Sequence, residues 1–218
     1  MTEPAGALLR VNEIFLSLQG ESSRAGLPTV FIRLTGCPLR CTWCDTAYAF
    51  TEGESLSLEA VLARVASCGV RQVCVTGGEP LAQKACPPLL AALCDAGYTV
   101  SLETSGALDI SVVDARVSRV VDLKAPDSGE EARNRWENLA HLTGHDEIKL
   151  VLASERDYLW AKKVLGDRRL AECCPVLFSP VADRLEPRQL AEWVLRDRLP
   201  VRMQIQMHKV IWGAERGR

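Results

Sequence analysis

Cys37, Cys41 and Cys44 stand in the run Gly36-Cys-Pro-Leu-Arg-Cys-Thr-Trp-Cys-Asp45, with the spacing Cys-x3-Cys-x2-Cys. Soft thiolate ligands favour iron–sulfur clusters and zinc over hard cations. Three of them hold three corners of a four-iron cubane and leave the fourth iron open. A structural site closes its shell with a fourth Cys or His, and none follows Cys44 at ligand spacing. An open iron is a place for chemistry. The competing reading is a zinc loop completed by a distant ligand, or three unrelated thiols.

Two further groups of residues carry chemistry. In Thr76-Gly-Gly-Glu-Pro80, adjacent glycines let the backbone approach a ligand closely, so their carbonyls and amides are candidates to bond an amino group. Upstream, Leu18-Gln-Gly-Glu21 offers an amide at Gln19 and a carboxylate at Glu21, groups that bond the edge of a pterin-like or guanine-like heterocycle. The same residues also suit a capped turn at Gly20. Arg33 stands between Ile32 and Leu34, and an unpaired buried charge is costly. It either pairs with Glu21 or forks onto a substrate carboxylate, where bidentate geometry favours Arg.

Alternating segments position these groups. Strands are read at Val30 to Thr35, Arg71 to Thr76, Tyr98 to Glu103, Val117 to Leu123, Glu147 to Leu152, Cys174 to Phe178 and Val201 to Met207. Helices are read behind Ser57 over Leu58 to Cys68, from Pro87 to Cys94, from Asp157 to Leu165 and from Pro187 to Leu199. Strands alternating with helices imply right-handed parallel βαβ units. Six or seven mostly parallel strands fall short of a closed eight-stranded barrel, so the fold class is α/β with a partial, open barrel. Active sites of such barrels lie at the carboxyl ends of the strands. The cysteine loop, Thr76, Gly78, Glu103, Asp122, Lys124, Lys149 and Ser179 fall at or near those ends. The other cysteines, Cys68, Cys74, Cys86, Cys94, Cys173 and Cys174, read as small core residues.

At 218 residues, residues 1–218 are read as one domain. With 47% hydrophobic and 25% charged residues and a net charge of -2, the chain has no basic stripe for nucleic acid. No eighteen-residue apolar run and no basic leader stand in the sequence, so the expectation is a cytoplasmic protein with no membrane partner.

The cysteine loop and Gly-Gly-Glu resemble the radical S-adenosylmethionine superfamily. That resemblance implies a [4Fe-4S] cluster on Cys37, Cys41 and Cys44, S-adenosylmethionine on the open iron, and one-electron cleavage to a 5′-deoxyadenosyl radical. Further motifs narrow it: Leu18-Gln-Gly-Glu21, Phe31-Ile-Arg-Leu34, Trp43-Cys-Asp-Thr46, Glu103-Thr-Ser-Gly106, Asp122-Leu-Lys124 and Gln206-Met-His-Lys209 are similar to the 7-carboxy-7-deazaguanine synthase family, from about Asn12 to Trp212.

The family resemblance implies ring contraction of 6-carboxy-5,6,7,8-tetrahydropterin with loss of ammonia, in queuosine and related deazapurine synthesis. It also implies a homodimer, Mg2+ and an electron donor such as flavodoxin or ferredoxin. Carried onto this chain, Leu18, Gln19, Gly20, Glu21, Arg33 and Thr76 contact substrate. Trp43, Cys44, Asp45, Gly78, Asp122, Leu123, Lys124, Phe178, Ser179, Pro180 and Val181 hold S-adenosylmethionine, and Thr46 holds Mg2+. Glu21, Glu79 and Lys124 are the candidates for proton transfer, and His208 is read as a strand residue. Two departures stand out. Some members have Ser-Pro-Lys at Asp122-Leu-Lys124, and some use a terminal carboxylate on substrate, where this chain ends Glu215-Arg-Gly-Arg218. A glycyl-radical activating enzyme is the alternative, using the same cysteine chemistry with a peptide groove. Direct tRNA modification is disfavoured by the acidic balance.

Overall fold

Strand-forming and helix-forming runs alternate along a computed structural model that describes residues 8–213 and 215–218. The amino-terminal stretch Met1 to Gly6, read above for a leader, lies outside the described residues. In chain order the strands are β1 (Leu9–Leu18), β2 (Pro28–Leu34), β3 (Glu54–Leu56), β4 (Gln72–Gly77), β5 (Thr99–Thr104), β6 (Ser118–Asp122), β7 (Glu147–Leu152), β8 (Val176–Pro180) and β9 (Arg202–Met203). The helices are α1 (Leu58–Ser67), α2 (Cys86–Asp95), α3 (Glu155–Asp167), α4 (Leu170–Cys173), α5 (Pro187–Asp197) and α6 (Met207–Trp212). They build one nine-stranded sheet in the order β3-β1-β2-β4-β5-β6-β7-β8-β9. From β2 to β9 every neighbouring pair is parallel, while β1 and β3 add an antiparallel edge. The sheet stays open as expected, with β3 and β9 at its two edges, although it has nine strands where six or seven were read.

Local chemistry starts and stops the helices. Ser57 caps α1, its Oγ accepting from Ala60 N–H at 3.2 Å, and Val61 and Val65 bury one face. Gly69, at φ +70°, turns the chain away. Ser154 caps α3 in the same way, and Pro187 opens the first turn of α5, which buries Leu190 and Val194. These helices cover the outer face of the sheet. Val30, Ile32, Val73 and Val75 pack under α1 and α2, and Ile148, Leu150 and Phe178 under α3 and α5.

The inner face carries the alternate residues. Because side chains switch sides at each strand position, Arg33, Thr76, Glu103, Asp122 and Lys149 share the cavity side. Parallel register sets Arg33 beside Thr76 and Asp122 beside Lys149. At the opposite end, the turn between β1 and β2 folds under the barrel. Ser23 bonds Glu147, and Arg24 Nη1 donates to Ser118 Oγ at 2.9 Å.

Three elements depart from the sequence reading. β1 and β3 are additional strands; in β1 a register shift between Val11 and Glu13 interrupts the apolar alternation that marks a strand. The strand read at Val201 to Met207 shrinks to Arg202–Met203, because Gln206 and Met207 are drawn onto Glu21 and Gly20. His208 therefore rides on α6 and not on a strand. Of the six cysteines read as core, Cys74, Cys86 and Cys174 are buried, whereas Cys68, Cys94 and Cys173 are half-buried. Among the described residues no helix is long and apolar enough to cross a membrane.

Candidate active site

A cavity of about 240 Å³ opens at the carboxyl ends of the strands. Cys37, Cys41 and Cys44 all line it. Their loop is tied to the segment after β6: Arg40 N–H donates to Glu130 Oε1 at 2.5 Å, and Thr42 N–H to Ser128 O at 3.0 Å. Burial pushes the Cys37 and Cys41 thiols up, so their thiolates need a bound metal. Among the described residues no three His, Cys, Asp or Glu side chains converge on a single metal-ion position.

Beside the thiols the backbone forms a cradle. A Cβ at Gly78 would collide with the Gly36 carbonyl, so the glycine lets β4's end lie against the cysteine loop. Gly78 gives its N–H to Leu34 O at 3.0 Å, which leaves its carbonyl to accept from an amino group. Among the described residues Asp122 Oδ1 and Ser179 Oγ are buried with no hydrogen-bond partner; Asp122 lines the cavity and Ser179 does not. Such atoms are expensive unless a ligand satisfies them, and hydroxyl or ammonium groups of S-adenosylmethionine have the matching chemistry. Lys124 Nζ lies 2.9 Å from Asp122 Oδ2. Burial pulls the Lys124 amine down, but Asp122 and Cys41 together outweigh it and the pKa rises.

The remaining cofactor candidates divide. Trp43 lines the cavity with the Arg184 guanidinium 5.5 Å from its ring centroid, and Asp45 is paired with Lys209 at 2.9 Å. Thr46 faces the cavity, its Oγ1 3.8 Å from Cys44 Sγ, and Val181 lines it too. Leu123 and Phe178 send their side chains into the core, Phe178 edge-on to Tyr158 at 6.5 Å, and Pro180 is buried.

The candidate substrate contacts, Leu18, Gln19, Gly20, Glu21, Arg33 and Thr76, line the same cavity. Glu21 is bonded on both oxygens, from Lys149 Nζ at 2.6 Å and Gln206 Nε2 at 2.7 Å. Burial alone would push its carboxyl up, but Lys149 and these hydrogen bonds bring it down to about 2. Gln19 Nε2 and Thr76 Oγ1 both donate to Glu103, each at 3.3 Å. A side chain at Gly20 would strike His208, so α6 closes over this turn.

Two sequence readings change. The carboxylate on Arg33 is Glu13, not Glu21, because Lys149 and Gln206 already hold Glu21. Glu79 is fully buried outside the cavity lining. Its oxygens accept from Leu81 N–H, Thr104 Oγ1, Ser105 N–H and Ser105 Oγ at 2.6–3.0 Å, so it clamps the ends of β4 and β5.

Residues 31–124 match the Radical SAM superfamily model. The 7-carboxy-7-deazaguanine synthase of Chlorobaculum tepidum is 47% identical over 212 residues, 96% of each chain. That of Koribacter versatilis is 41% identical, over 95% of this chain and 98% of its own. The chain belongs to the 7-carboxy-7-deazaguanine synthase family. A crystal structure of QueE from Escherichia coli superposes with a TM-score of 0.76 at 27% identity, over 92% of this chain and 95% of that one. Radical SAM membership of the synthase family implies a [4Fe-4S] cluster and S-adenosylmethionine, and the thiols, cradle and unpaired buried oxygens described above fit both.

The sequence reading left Glu13, Tyr48, Lys149, Gln206 and Lys209 without a role, although all five hold or line the site. Lys149 carried a signal, as a lone charge between Ile148 and Leu150 in an apolar strand, and Gln206 and Lys209 stood in a family motif.

Proposed function

We propose that this chain converts 6-carboxy-5,6,7,8-tetrahydropterin to 7-carboxy-7-deazaguanine with loss of ammonia, as a carbon–nitrogen lyase in queuosine or related deazapurine synthesis. The observation that carries this reading is one cavity with three cysteine thiols on one side and Gln19, Glu21 and Arg33 on the other. A radical source thus stands next to groups suited to a carboxylated heterocycle.

Bound to Cys37, Cys41 and Cys44, a cluster with S-adenosylmethionine supplies a one-electron route to a carbon radical. The protein's own part is positioning. Gly78 O would hold the amino group, and Asp122, Lys124 and Ser179 the other polar groups of the cofactor. Arg33 would take the substrate carboxylate, while Gln19, Glu21 and Thr76 would bond the ring edge, with Leu18 and Gly20 closing against it. Mg2+ beside Thr46 would add a hard Lewis acid for substrate oxygens. Of the three proton-transfer candidates, Lys124 and Glu21 line the cavity and Glu79 lies outside it.

The reading extends to residues 1–218 as one catalytic domain, supported by its continuous sheet. It includes a homodimer, a flavodoxin-like or ferredoxin-like electron donor, and a cytoplasmic location. An activating enzyme for a partner protein is disfavoured, because Gln19, Glu21 and Arg33 give the cavity polar groups suited to a small carboxylated heterocycle.

Ammonia release by anaerobically reconstituted enzyme tests the assignment. Release from 6-carboxytetrahydropterin that requires S-adenosylmethionine, and far less from tetrahydropterin lacking the carboxylate, is the expected result. Equal release from both would reject the carboxylate site.

A further inference from the structure

Glu13 is absent from the cavity lining, yet it governs how Arg33 enters it. β1 and β2 pair with Val11 opposite Leu34 and Glu13 opposite Arg33, so two steps along β1 match one along β2. The bulge lies beyond this pair, at Asn12, and shifts Val11 by one position relative to β2. The ladder runs unbroken from Leu18 opposite Pro28 to Glu13 opposite Arg33, which puts the two side chains on one face of the sheet. There Glu13 Oε1 accepts from Arg33 Nε at 2.6 Å and from Tyr48 OH at 2.9 Å.

The guanidinium is confined further by two rings. Its carbon lies 6.0 Å from the Phe15 centroid and 6.0 Å from that of Tyr48. Phe15 is itself stacked on Phe31 at 5.1 Å. The pair is largely buried, with 15% of the Arg33 side chain and 20% of Glu13 exposed. Among the described residues, Nε is the one Arg33 nitrogen that makes a hydrogen bond within the protein. One edge of the fork is therefore taken, and the two terminal nitrogens are free.

We propose that Glu13, fixed by Tyr48 and by its cross-strand place opposite Arg33, is a positioning residue that holds Arg33 with Nη1 and Nη2 presented to the substrate carboxylate. The proposal rests on the reading of Arg33 as the carboxylate's partner. Its physical basis is preorganisation: a long side chain locked before binding loses less rotamer freedom on binding. Because Tyr48 lies two residues after Thr46, the same frame ties the carboxylate anchor to the cysteine loop.

The test is fluorescence titration of the reconstituted enzyme, with S-adenosylmethionine present, using 6-carboxypterin and unsubstituted pterin. Glu13→Ala and Arg33→Ala should each weaken 6-carboxypterin on the order of tenfold. Both should leave pterin within about twofold, and the double variant should be no weaker than Arg33→Ala alone. Tyr48→Phe keeps both rings and removes one bond to Glu13, so it should show a smaller loss of the same selectivity even if Glu13→Ala does not fold. Equal weakening of both pterins by Glu13→Ala, or no selective loss in Tyr48→Phe, would overturn the proposal. Selective loss in Arg33→Ala with none in Glu13→Ala removes the role of Glu13 and leaves that of Arg33. If Arg33→Ala spares 6-carboxypterin, the carboxylate reading falls, and the proposal with it.

Discussion

Lys149 and Glu21, 128 positions apart in the chain, meet inside the cavity with Nζ 2.6 Å from Oε2. The contact ties the turn after β1 to the middle of the sheet. Lys149 also stands 3.8 Å from Asp122 Oδ2, so one amine faces a carboxylate from each end of the site. Burial pulls Lys149 down, but Glu21, Asp122 and Glu103 outweigh it and keep it charged.

Lys149→Met would leave the Glu21 carboxylate buried with Gln206 as its remaining partner. Removing one member of a buried pair costs about 3–5 kcal/mol, which urea unfolding would read as a lower midpoint. Neutralising the other partner as well should recover part of the loss. A Lys149→Met/Glu21→Gln protein whose destabilisation equals the sum of the single losses would show that the two do not interact.

The same pair sets an acid dependence. The Glu21 carboxyl lies at about 2 in the folded protein against an ordinary 4.5. A depressed pKa means that folding favours the carboxylate, so its stabilising contribution is complete above about pH 4.5 and disappears as pH falls towards 2. The stability gap between the protein and Glu21→Gln should be constant from pH 7 to about 5 and narrow below. A gap unchanged at pH 2.5 would contradict the assignment.

Cysteine and threonine variants separate the two metal readings. Cys41→Ala should abolish iron–sulfur absorption and product formation together. Thr46→Ala should keep the absorption and require on the order of tenfold more Mg2+ for the same rate, as loss of one oxygen ligand weakens a hard-cation site. Full activity of Thr46→Ala without added Mg2+ would remove the hydroxyl from the metal site.

Glu79→Gln places an amide NH2 among the donors of Leu81, Thr104 and Ser105. A buried donor facing donors costs about 1–3 kcal/mol. The thermal midpoint should therefore fall while the cluster spectrum is retained. An unchanged midpoint with lost turnover would instead restore Glu79 to the chemistry.

The cysteine loop, the Gly-Gly turn and Arg33 were legible because they combine particular residue types with fixed local spacing, and the parallel strands because their apolar runs alternate with capped helices. β1 was hidden by its bulge, which moves the buried set from Leu9 and Val11 to Ile14. α6 replaced a strand because Gln206 and Met207 bond the turn at Gly20 and Glu21, nearly the whole chain away. Partner choice was the least legible. Arg33 had Glu13 and Glu21 within reach in sequence, and the cross-strand register selected the first. Glu79 looked reactive by its place after two glycines, yet its carboxylate is turned away from the cavity and consumed by backbone and hydroxyl donors.

The most direct test is mass spectrometry of the small molecules formed by anaerobically reconstituted protein with S-adenosylmethionine, a reductant, Mg2+ and 6-carboxytetrahydropterin. The expected result is 7-carboxy-7-deazaguanine that appears only when S-adenosylmethionine is present. If 5′-deoxyadenosine accumulates while the pterin is recovered unchanged, the radical machinery stands and the assigned substrate is contradicted.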